Sequence, residues 1–378
     1  MEIHYDAVPL ISRPMTGVGY YTAGLVTAYM KLFPLNKYIF DFFAFGDYEE
    51  KHKLLSPYLG KADENIAKSP GRLFRALGNF LPIPYSLFFG KSAEITHFCN
   101  YIVPHGVKGK VITTVHDMGY KAYPETVRER TRLLLETGLA KSVVRADIII
   151  TISEFSKSEI LKYFPNIESK IRVIPCGVDQ DHFRIISDSF VLEEYRKKAE
   201  INKDYFLYLG TIEPRKNLAR LIDAYALFRE KFGDNSPDLI IAGSKGWYFE
   251  EIIAKADATP GVRILDYVDY DDVPKLMGGA KAFVFPSLYE GFGMPVIEAF
   301  SCSVPVVTSA ANSLQEVAGD CAVLVDPLNT EDIANGLTRV FDNISFANEL
   351  SAKGYERSRA YTWENAATML NEVYKELV

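Results

Sequence analysis

The chain has 378 residues, of which 48% are hydrophobic and 24% are charged, and its formal net charge is −7. This composition excludes a disordered or fibrous protein, and the length exceeds what one hydrophobic core usually supports, so two domains are expected. The negative charge gives no overall attraction to phosphate backbones, which argues against nucleic acid as a partner.

The first ten residues, MEIHYDAVPL, lack the basic start and long apolar run of a secretory signal. No stretch of the sequence has the roughly 18 to 20 unbroken apolar residues that a membrane-spanning helix needs. We therefore expect a cytoplasmic protein. Its cysteines are far apart and should be reduced and buried: Cys99, Cys176, Cys302 and Cys321.

Two glycines near the start, Gly17 and Gly19 in SRPMTGVGYYTAGL, precede a helix expected over residues 20–32. Glycine lets a ligand approach the backbone closely. The spacing is not the G-x-G-x-x-G of dinucleotide sites. Gly19 is the candidate ligand-contacting residue of the two.

The segment RLFRALGNFLPIPYSLFFGK, residues 72–91, is aromatic and apolar with basic residues at its ends. It could contact the inner face of a membrane or a lipid-linked acceptor. The alternative, favoured by its two prolines, is that it forms core and edge of the first domain.

Three runs, KVITTVHD, ADIIITISE and KIRVIPCGVD, predict strands of a first doubly wound domain over residues 1–180, with a helix between the first two. His116 and Asp117 lie at the carboxyl end of the first of these strands, where ligands bind in open parallel sheets. The alternative is a structural His–Asp hydrogen bond. Ser153 is expected to cap the helix that follows the second strand.

Residues 181–203 are polar and charged and lack strand runs, which indicates a linker. From 204 to 360, six apolar runs alternate mostly with helical spacing and predict a second parallel sheet covered on both faces: YFLYLG, LIIAG, VRILDYV, AFVFPS, VPVVTS and AVLVDP. Residues 361–378 predict an amphipathic helix with Ala366, Met369, Leu370 and Val373 on one side.

In YFLYLGTIEPRKNL a strand ends at Gly210 and Asn217 is expected to cap the next helix. Arg215 and Lys216 lie just before that helix. A guanidinium and an ammonium there suit a departing diphosphate, on which charge grows in the transition state. The alternative is a solvated basic pair.

The most informative segment is FVFPSLYEGFGMPVIEAFSCSVPVV, which predicts a strand, a glycine loop and a helix with Pro295 in its first turn. Such a junction binds anions. Glu290 in the loop and Glu298 in the helix could accept hydrogen bonds from hydroxyls on either side of a diphosphate, as a sugar and a ribose would offer. The alternative is that Glu298 complements the helix dipole and Glu290 is an exposed loop acid.

The segment from Glu290 to Glu298 resembles the E-x7-E motif of the family 4, or group 1, retaining glycosyltransferases of GT-B fold. The resemblance covers nearly the whole chain. It implies two Rossmann-like domains facing across a cleft, with the C-terminal helix docking back on the first. It also implies transfer of a hexose, of mannose or glucose type, from a GDP- or UDP-sugar to a glycan or lipid-linked glycan, usually in surface polysaccharide synthesis.

The resemblance also implies residue roles. Glu290 would hold donor-sugar hydroxyls and Glu298 the ribose, while His116 would contact the donor sugar. Arg215 and Lys216 would stabilise the leaving diphosphate. Further donor-binding positions are implied in the glycine loops and at strand ends: Gly19, Thr211, Ser244, Val268, Phe292, Gly293, Met294 and Pro295.

The chain departs from the family pattern at Thr211, where many members carry arginine directly after the strand glycine. Arg215 either replaces that arginine or is only its neighbour. The EPRKN run resembles mannosyltransferases that use GDP-mannose, although UDP-hexose enzymes share it.

We expect no cofactor and no obligatory metal, because the six histidines form no cluster with ligand spacing. Asp179-x-Asp181 and Asp269-x-Asp271 match a metal-diphosphate motif of another glycosyltransferase fold, and we interpret both as chance matches. The competing functions are a catalytically silent sugar-nucleotide-binding protein of the same fold and a nucleotide-sugar epimerase.

Overall fold

The computed structural model describes residues 1–13, 15–71, 74, 81–90 and 93–378. The chain divides into two compact units. The first unit comprises Met1–Tyr120, Val127–Gly177 and Trp363–Val378, and the second comprises Lys121–Thr126 and Val178–Thr362.

The first unit contains a parallel sheet in the order β3-β2-β1-β4-β5-β6-β7. Its strands are β1 Glu2–Asp6, β2 Lys37–Phe43, β3 Ala62–Ala67, β4 Ile95–Phe98, β5 Lys110–Thr114, β6 Ile148–Thr151 and β7 Ile171–Val173. The three predicted runs are thus β5, β6 and β7. The described helices of this part of the chain are α1 Val8–Ile11, α2 Gly17–Leu32, α3 Tyr48–Leu55, α4 Ser86–Phe89, α5 Gly119–Ala122, α6 Glu129–Arg145 and α7 Glu154–Tyr163.

The second unit contains a parallel sheet in the order β10-β9-β8-β11-β12-β13. Its strands are β8 Tyr205–Leu209, β9 Asp238–Ala242, β10 Val262–Leu265, β11 Ala282–Phe285, β12 Val306–Ser309 and β13 Val323–Val325. All six predicted runs are therefore strands. The helices are α8 Ser189–Lys198, α9 Leu218–Phe232, α10 Glu250–Ala258, α11 Val273–Gly278, α12 Met294–Ser301, α13 Asn312–Ala318, α14 Thr330–Asp342 and α15 Ile344–Ser358.

The last helix, α16 Trp363–Lys375, belongs to the first unit, where it packs on α2. The hydroxyl of Tyr29 donates to Asn371 Oδ1 at 3.0 Å, and Tyr374 lies 2.7 Å from the buried ring of His97. The docking predicted for this helix is confirmed. Met369, expected on its apolar side, is 42% exposed instead.

The segment predicted as a linker, residues 181–203, includes α8 and belongs to the second unit, where α8 packs on α11. The two ends of the segment Val178–Thr362 lie side by side, because the amide of Val178 donates to the carbonyl of Tyr361 at 2.9 Å. A short 3-10 turn, Pro124–Thr126, also belongs to this unit.

All four cysteines are buried and carry free thiols, as expected. Of the aromatic segment 72–91, residues 72, 73, 75–80 and 91 lie outside the described residues, so the prediction of membrane contact there stays a prediction. Across the described ranges, no helix is both long enough and apolar enough to span a bilayer.

Candidate active site

Two cations of the second unit converge on one carboxylate. Lys216 Nζ lies 2.6 Å from Glu290 Oε1, and Arg215 Nη1 lies 3.1 Å from Glu290 Oε2. Arg215 Nη1 also donates to the carbonyl of Tyr289 at 2.6 Å. The structure therefore joins three residues that the sequence placed in two separate motifs.

The cations reach Glu290 because β8 and β11 are neighbours in the sheet and end at the same edge. Arg215 and Lys216 lie in a 3-10 turn after β8, and Glu290 lies in the loop after β11. The amide of Leu288 donates to the carbonyl of Arg215 at 2.9 Å, which joins the turn to the loop through the backbone.

Asn217 does not cap α9 with its side chain, so that prediction is wrong. Its backbone is left-handed, with φ of 63°, and its Nδ2 donates to the carbonyls of Pro286 and Pro327 at 3.0 and 2.6 Å. The side-chain amide therefore joins the start of α9 to the segments that follow β11 and β13. Asn tolerates the left-handed conformation better than most residues. Ser153 does cap its helix, accepting from the amide of Ser156 at 2.9 Å.

The sequence motifs do not predict two residues that support Arg215 and Glu290. Glu213 is 1% exposed and accepts from Arg215 Nη2 at 2.7 Å. Ser313 is fully buried and donates to the backbone carbonyl of Glu290 at 2.8 Å. In the sequence, Glu213 is marked only by its position two residues before the basic pair Arg215 and Lys216. No sequence pattern marks Ser313.

The charges around Glu290 determine its ionisation. Burial alone would raise the pKa of Glu290, but the adjacent charges of Lys216 and Arg215 outweigh burial and lower the pKa to about 2. Glu290 is 8% exposed, so the alternative of an exposed loop acid is wrong. Arg215 and Lys216 are not a solvated pair either, because their side chains are 18% and 12% exposed.

The next element, α12, begins with Met294 and Pro295 in its first turn. Gly293 precedes it with φ of 101°, and a Cβ at that position would lie 2.4 Å from Leu314 Cδ2. Glycine is therefore required there on both backbone and steric grounds. Phe292 is buried against Tyr361, with ring centroids 5.6 Å apart.

Glu298 lies in the second turn of α12 and is half-buried. Burial raises the pKa of Glu298 to about 7. Both glutamates are desolvated, but two adjacent cations keep Glu290 ionised, whereas burial favours the protonated form of Glu298.

Three predicted donor-binding positions lie at strand ends of the same sheet. Thr211 is exposed after β8. Ser244 follows β9, and its backbone carbonyl accepts from the amide of Ile212 at 2.9 Å. A Cβ on Gly243 would lie 2.0 Å from the carbonyl of Gly210, so the two chain segments meet closely. Val268 is half-buried in the loop after β10.

The remaining two predicted residues belong to the first unit. Gly19 lies inside the first turn of α2 rather than before the helix, and a Cβ there would lie 2.6 Å from the side chain of Met15. His116 is 6% exposed, and its Nε2 donates to the carbonyl of Cys99 at 2.9 Å rather than to Asp117. Burial lowers the pKa of His116, so the ring is neutral at physiological pH.

The two acidic pairs contribute to local backbone structure. Asp179 Oδ1 accepts from the amides of Asp181 and His182 at 3.1 Å, and the carbonyl of Asp269 accepts from the amide of Asp272 at 2.9 Å. Over the part of the chain that the structure describes, no cluster of three His, Cys, Asp or Glu side chains has the arrangement of a metal site. Metal independence stays a prediction.

Solved structures share this architecture. The chain superposes on Anabaena HepE in complex with UDP-glucose with a TM-score of 0.75, 16% identity and full coverage of both chains. With its two parallel α/β sheets, the chain has the GT-B fold of glycosyltransferases.

Sequence comparisons identify the family. Residues 192–357 match the description "glycosyl transferases group 1", and residues 74–182 match "glycosyltransferase family 4". The O-antigen chain mannosyltransferase B of Escherichia coli is 34% identical over 289 residues, which cover 75% of this chain and 74% of that protein. The serotype-specific mannosyltransferase WbdA of Escherichia coli is 28% identical over 62% of this chain but only 29% of its own length. The chain belongs to the family 4, or group 1, glycosyltransferases, and it is a glycosyltransferase.

Proposed function

We propose that this enzyme transfers a mannosyl residue from GDP-mannose to a hydroxyl of a growing surface polysaccharide or its lipid-linked precursor, with retained anomeric configuration. The sugar is supported by the two relatives named as mannosyltransferases, one of them an O-antigen chain enzyme. The guanine base of the donor is supported by the EPRKN run of residues 213–217, which resembles mannosyltransferases that use GDP-mannose. A UDP-hexose is the competing donor.

The observation that carries the proposal is the pairing of Lys216 and Arg215 with Glu290 in a buried position between two strand ends. Departure of a nucleoside diphosphate leaves negative charge on its terminal phosphate. Fixed cations in a partly desolvated site stabilise that charge more effectively than water does. The carboxylate beside them, ionised at neutral pH, can accept hydrogen bonds from sugar hydroxyls.

In the proposed reaction the acceptor oxygen forms a bond to the anomeric carbon as the bond from that carbon to the diphosphate oxygen breaks on the same face. The acceptor proton passes to a phosphate oxygen. Lys216 and Arg215 stabilise the departing group, and no enzyme nucleophile, cofactor or metal takes part.

The other predicted site residues are assigned to further parts of the donor. Glu298 binds the ribose hydroxyls, and His116 contacts the donor sugar. Phe292, Gly293 and Met294 contact phosphate or sugar, and Ser244 and Val268 contact base and phosphate. Gly19, Thr211 and Pro295 are the further donor-binding residues.

The test is nucleotide release from a panel of GDP-, UDP- and ADP-hexoses, with and without a chelator, in the presence of simple mannoside acceptors. We expect turnover of GDP-mannose that survives the chelator, and an α-linked product by NMR, since the mannosyl group of GDP-mannose is α-linked. Preference for a UDP-hexose would overturn the donor assignment. A β-linked product from an α-linked donor would overturn retention, and binding without turnover against any acceptor would favour the silent binding protein.

A further inference from the structure

A groove on the surface of the second unit is separate from the candidate active site. Its lining comes from residues 181–188, from the first turn of α8 and from the turn that leads into α11, and its volume is about 540 Å³. Sites for small molecules have volumes of roughly 300 to 1,000 Å³. Among the residues that the structure describes, none of the groove lining belongs to the candidate active site. We call it the α8–α11 groove and define it by six of its lining residues: Asp181, His182, Arg184, Ile185, Asp271 and Lys275.

Two stacked aromatic rings lie at this groove. The rings of His182, which lines the groove, and Tyr270 are parallel to within 1°, with centroids 3.9 Å apart. His182 Nε2 donates to the carbonyl of Tyr270 at 3.0 Å, which fixes the pair, and 36% of Tyr270 is exposed. The face of an aromatic ring carries partial negative charge, which attracts the C–H bonds on the apolar face of a sugar ring. The pair is therefore a platform on which a sugar ring can stack.

One acid from each of the two D-x-D matches in the sequence lines this groove. Asp181 directly precedes His182, and Asp271 directly follows Tyr270, so each acid is next in sequence to one of the stacked rings. Both aspartates are exposed. Carboxylate oxygens accept hydrogen bonds from hydroxyl groups. The groove thus combines a stacking surface with acceptors for hydroxyls, and these are the two kinds of contact that a sugar ring needs.

The charges of the groove indicate which class of ligand it fits. Its lining contains three carboxylates and two cations: Asp181, Asp188, Asp271, Arg184 and Lys275. One of the cations is already paired, since Lys275 Nζ lies 2.7 Å from a carboxylate oxygen of Asp272. A phosphate or a uronic acid would therefore meet more like charge than opposite charge here. An uncharged ligand rich in hydroxyls meets no such repulsion.

We propose that the α8–α11 groove binds an uncharged glycan, namely a part of the polysaccharide that is not reacting. The inference rests on the proposed function only for the presence of a polysaccharide acceptor. A second binding surface on the same protein raises the effective concentration of a long acceptor at the reaction centre without any new contact there. The groove is thus a glycan site in addition to the one at which transfer takes place.

The experiment is an NMR titration of the full chain, without any nucleotide sugar, with α-mannohexaose, maltohexaose and hexagalacturonate. We expect binding of at least one of the two neutral hexasaccharides and much weaker binding of the uronate. The affinity for the neutral glycan should fall about tenfold in Tyr270→Ala and in Asp181→Ala/Asp271→Ala, because the platform or the acceptors are lost. The matched control is Tyr163→Ala/Asp257→Ala, which removes an exposed tyrosine of α7 and an exposed aspartate of α10. The control should bind like the wild type.

Because no donor is present, the titration does not depend on which nucleotide sugar the enzyme uses. Failure of GDP-mannose in the donor panel would leave glycan binding intact, and absence of glycan binding would leave donor turnover intact. Cooperative thermal unfolding shows that each variant is folded, and Asp181→Ala/Asp271→Ala, which changes two exposed side chains, decides the question if Tyr270→Ala is not.

The proposal is overturned if the wild type binds neither neutral hexasaccharide, or if it binds the uronate as tightly as the neutral glycans. It is also overturned if the groove variants bind as tightly as the control. Self-association of the wild type that Tyr270→Ala abolishes would overturn it as well, because the groove would then contact a second copy of the chain.

Discussion

The ammonium of Lys216 lies 2.6 Å from a carboxylate oxygen of Glu290, and both side chains are nearly nine-tenths buried. The sequence motifs suggest separate roles: Lys216 would stabilise the leaving diphosphate, and Glu290 would bind sugar hydroxyls. In the structure they form one ion pair. A diphosphate that enters this site must therefore compete with Glu290 for the lysine.

Replacing Lys216 with alanine should lower turnover by about 10² to 10³, because the charge developing on the leaving group loses its partner. Lysine-to-arginine replacement at the same position should retain part of the activity, since the charge is kept. The measurement is kcat with saturating donor. Lys255→Ala, which removes a lysine paired with Asp223 instead, is the control and should turn over normally. Wild-type turnover in Lys216→Ala would refute the assignment.

Replacing Glu290 with glutamine should have opposite effects on two ligands. The free nucleoside diphosphate should bind about tenfold more tightly, because Lys216 and Arg215 are no longer neutralised by a carboxylate. The sugar donor should nevertheless bind less tightly, since its hydroxyl contacts are weakened. Calorimetry with both ligands tests this. Equal losses of affinity for the diphosphate and for the donor would exclude the proposed role of Glu290.

The fold could be predicted in most of the second unit because its strands are short unbroken apolar runs, as in YFLYLG and AFVFPS, and such runs occur when both faces of a parallel sheet are covered. The start of α2 could not be predicted in this way. Gly17 and Gly19 suggest a loop by residue type, yet both lie within the helix. The demand for glycine at position 19 comes from Met15 and Pro9, whose packing no local pattern encodes.

The candidate site could be predicted as a set of residue types but not as a network. The motifs identify Arg215, Lys216 and Glu290 one by one, whereas their mutual contacts depend on the adjacency of β8 and β11 in the sheet. The sequence predicts Asn217 as the cap of the helix that follows it, because a cap is a local interaction. Its Nδ2 instead donates to the carbonyls of Pro286 and Pro327, which are distant in sequence.

Gly293→Ala should impair both stability and donor affinity. The left-handed backbone at φ of 101° and the 2.4 Å approach to Leu314 should together cost about 1 to 3 kcal/mol of unfolding free energy. Adding Leu314→Ala should relieve the clash but not the backbone strain, so donor affinity should be restored only in part.

The control for this prediction is Gly278→Ala, because the Cβ there would meet no atom closer than 3.7 Å and the backbone conformation is ordinary. Denaturant unfolding and donor titration of all three variants are the measurements. Wild-type affinity in Gly293→Ala would show that the entry to α12 does not position the donor.

Glu298 should make the protein less stable as the pH rises. Burial raises the pKa of this carboxyl to about 7, so between roughly pH 4.5 and 7 the folded protein keeps a proton that the unfolded chain has released. The contribution of the protonated carboxyl is therefore complete below about pH 4.5 and is lost as the pH passes through 7. Relative to Glu298→Gln, the wild type should lose about 1 to 3 kcal/mol of unfolding free energy between pH 5 and pH 8.

Urea unfolding at both pH values measures the difference. The control is Glu230→Gln, which replaces an exposed carboxyl on α9. If Glu298→Gln and the wild type show the same pH dependence, Glu298 is not a desolvated carboxyl, and its hydroxyl-binding role would rest on an ordinary exposed glutamate.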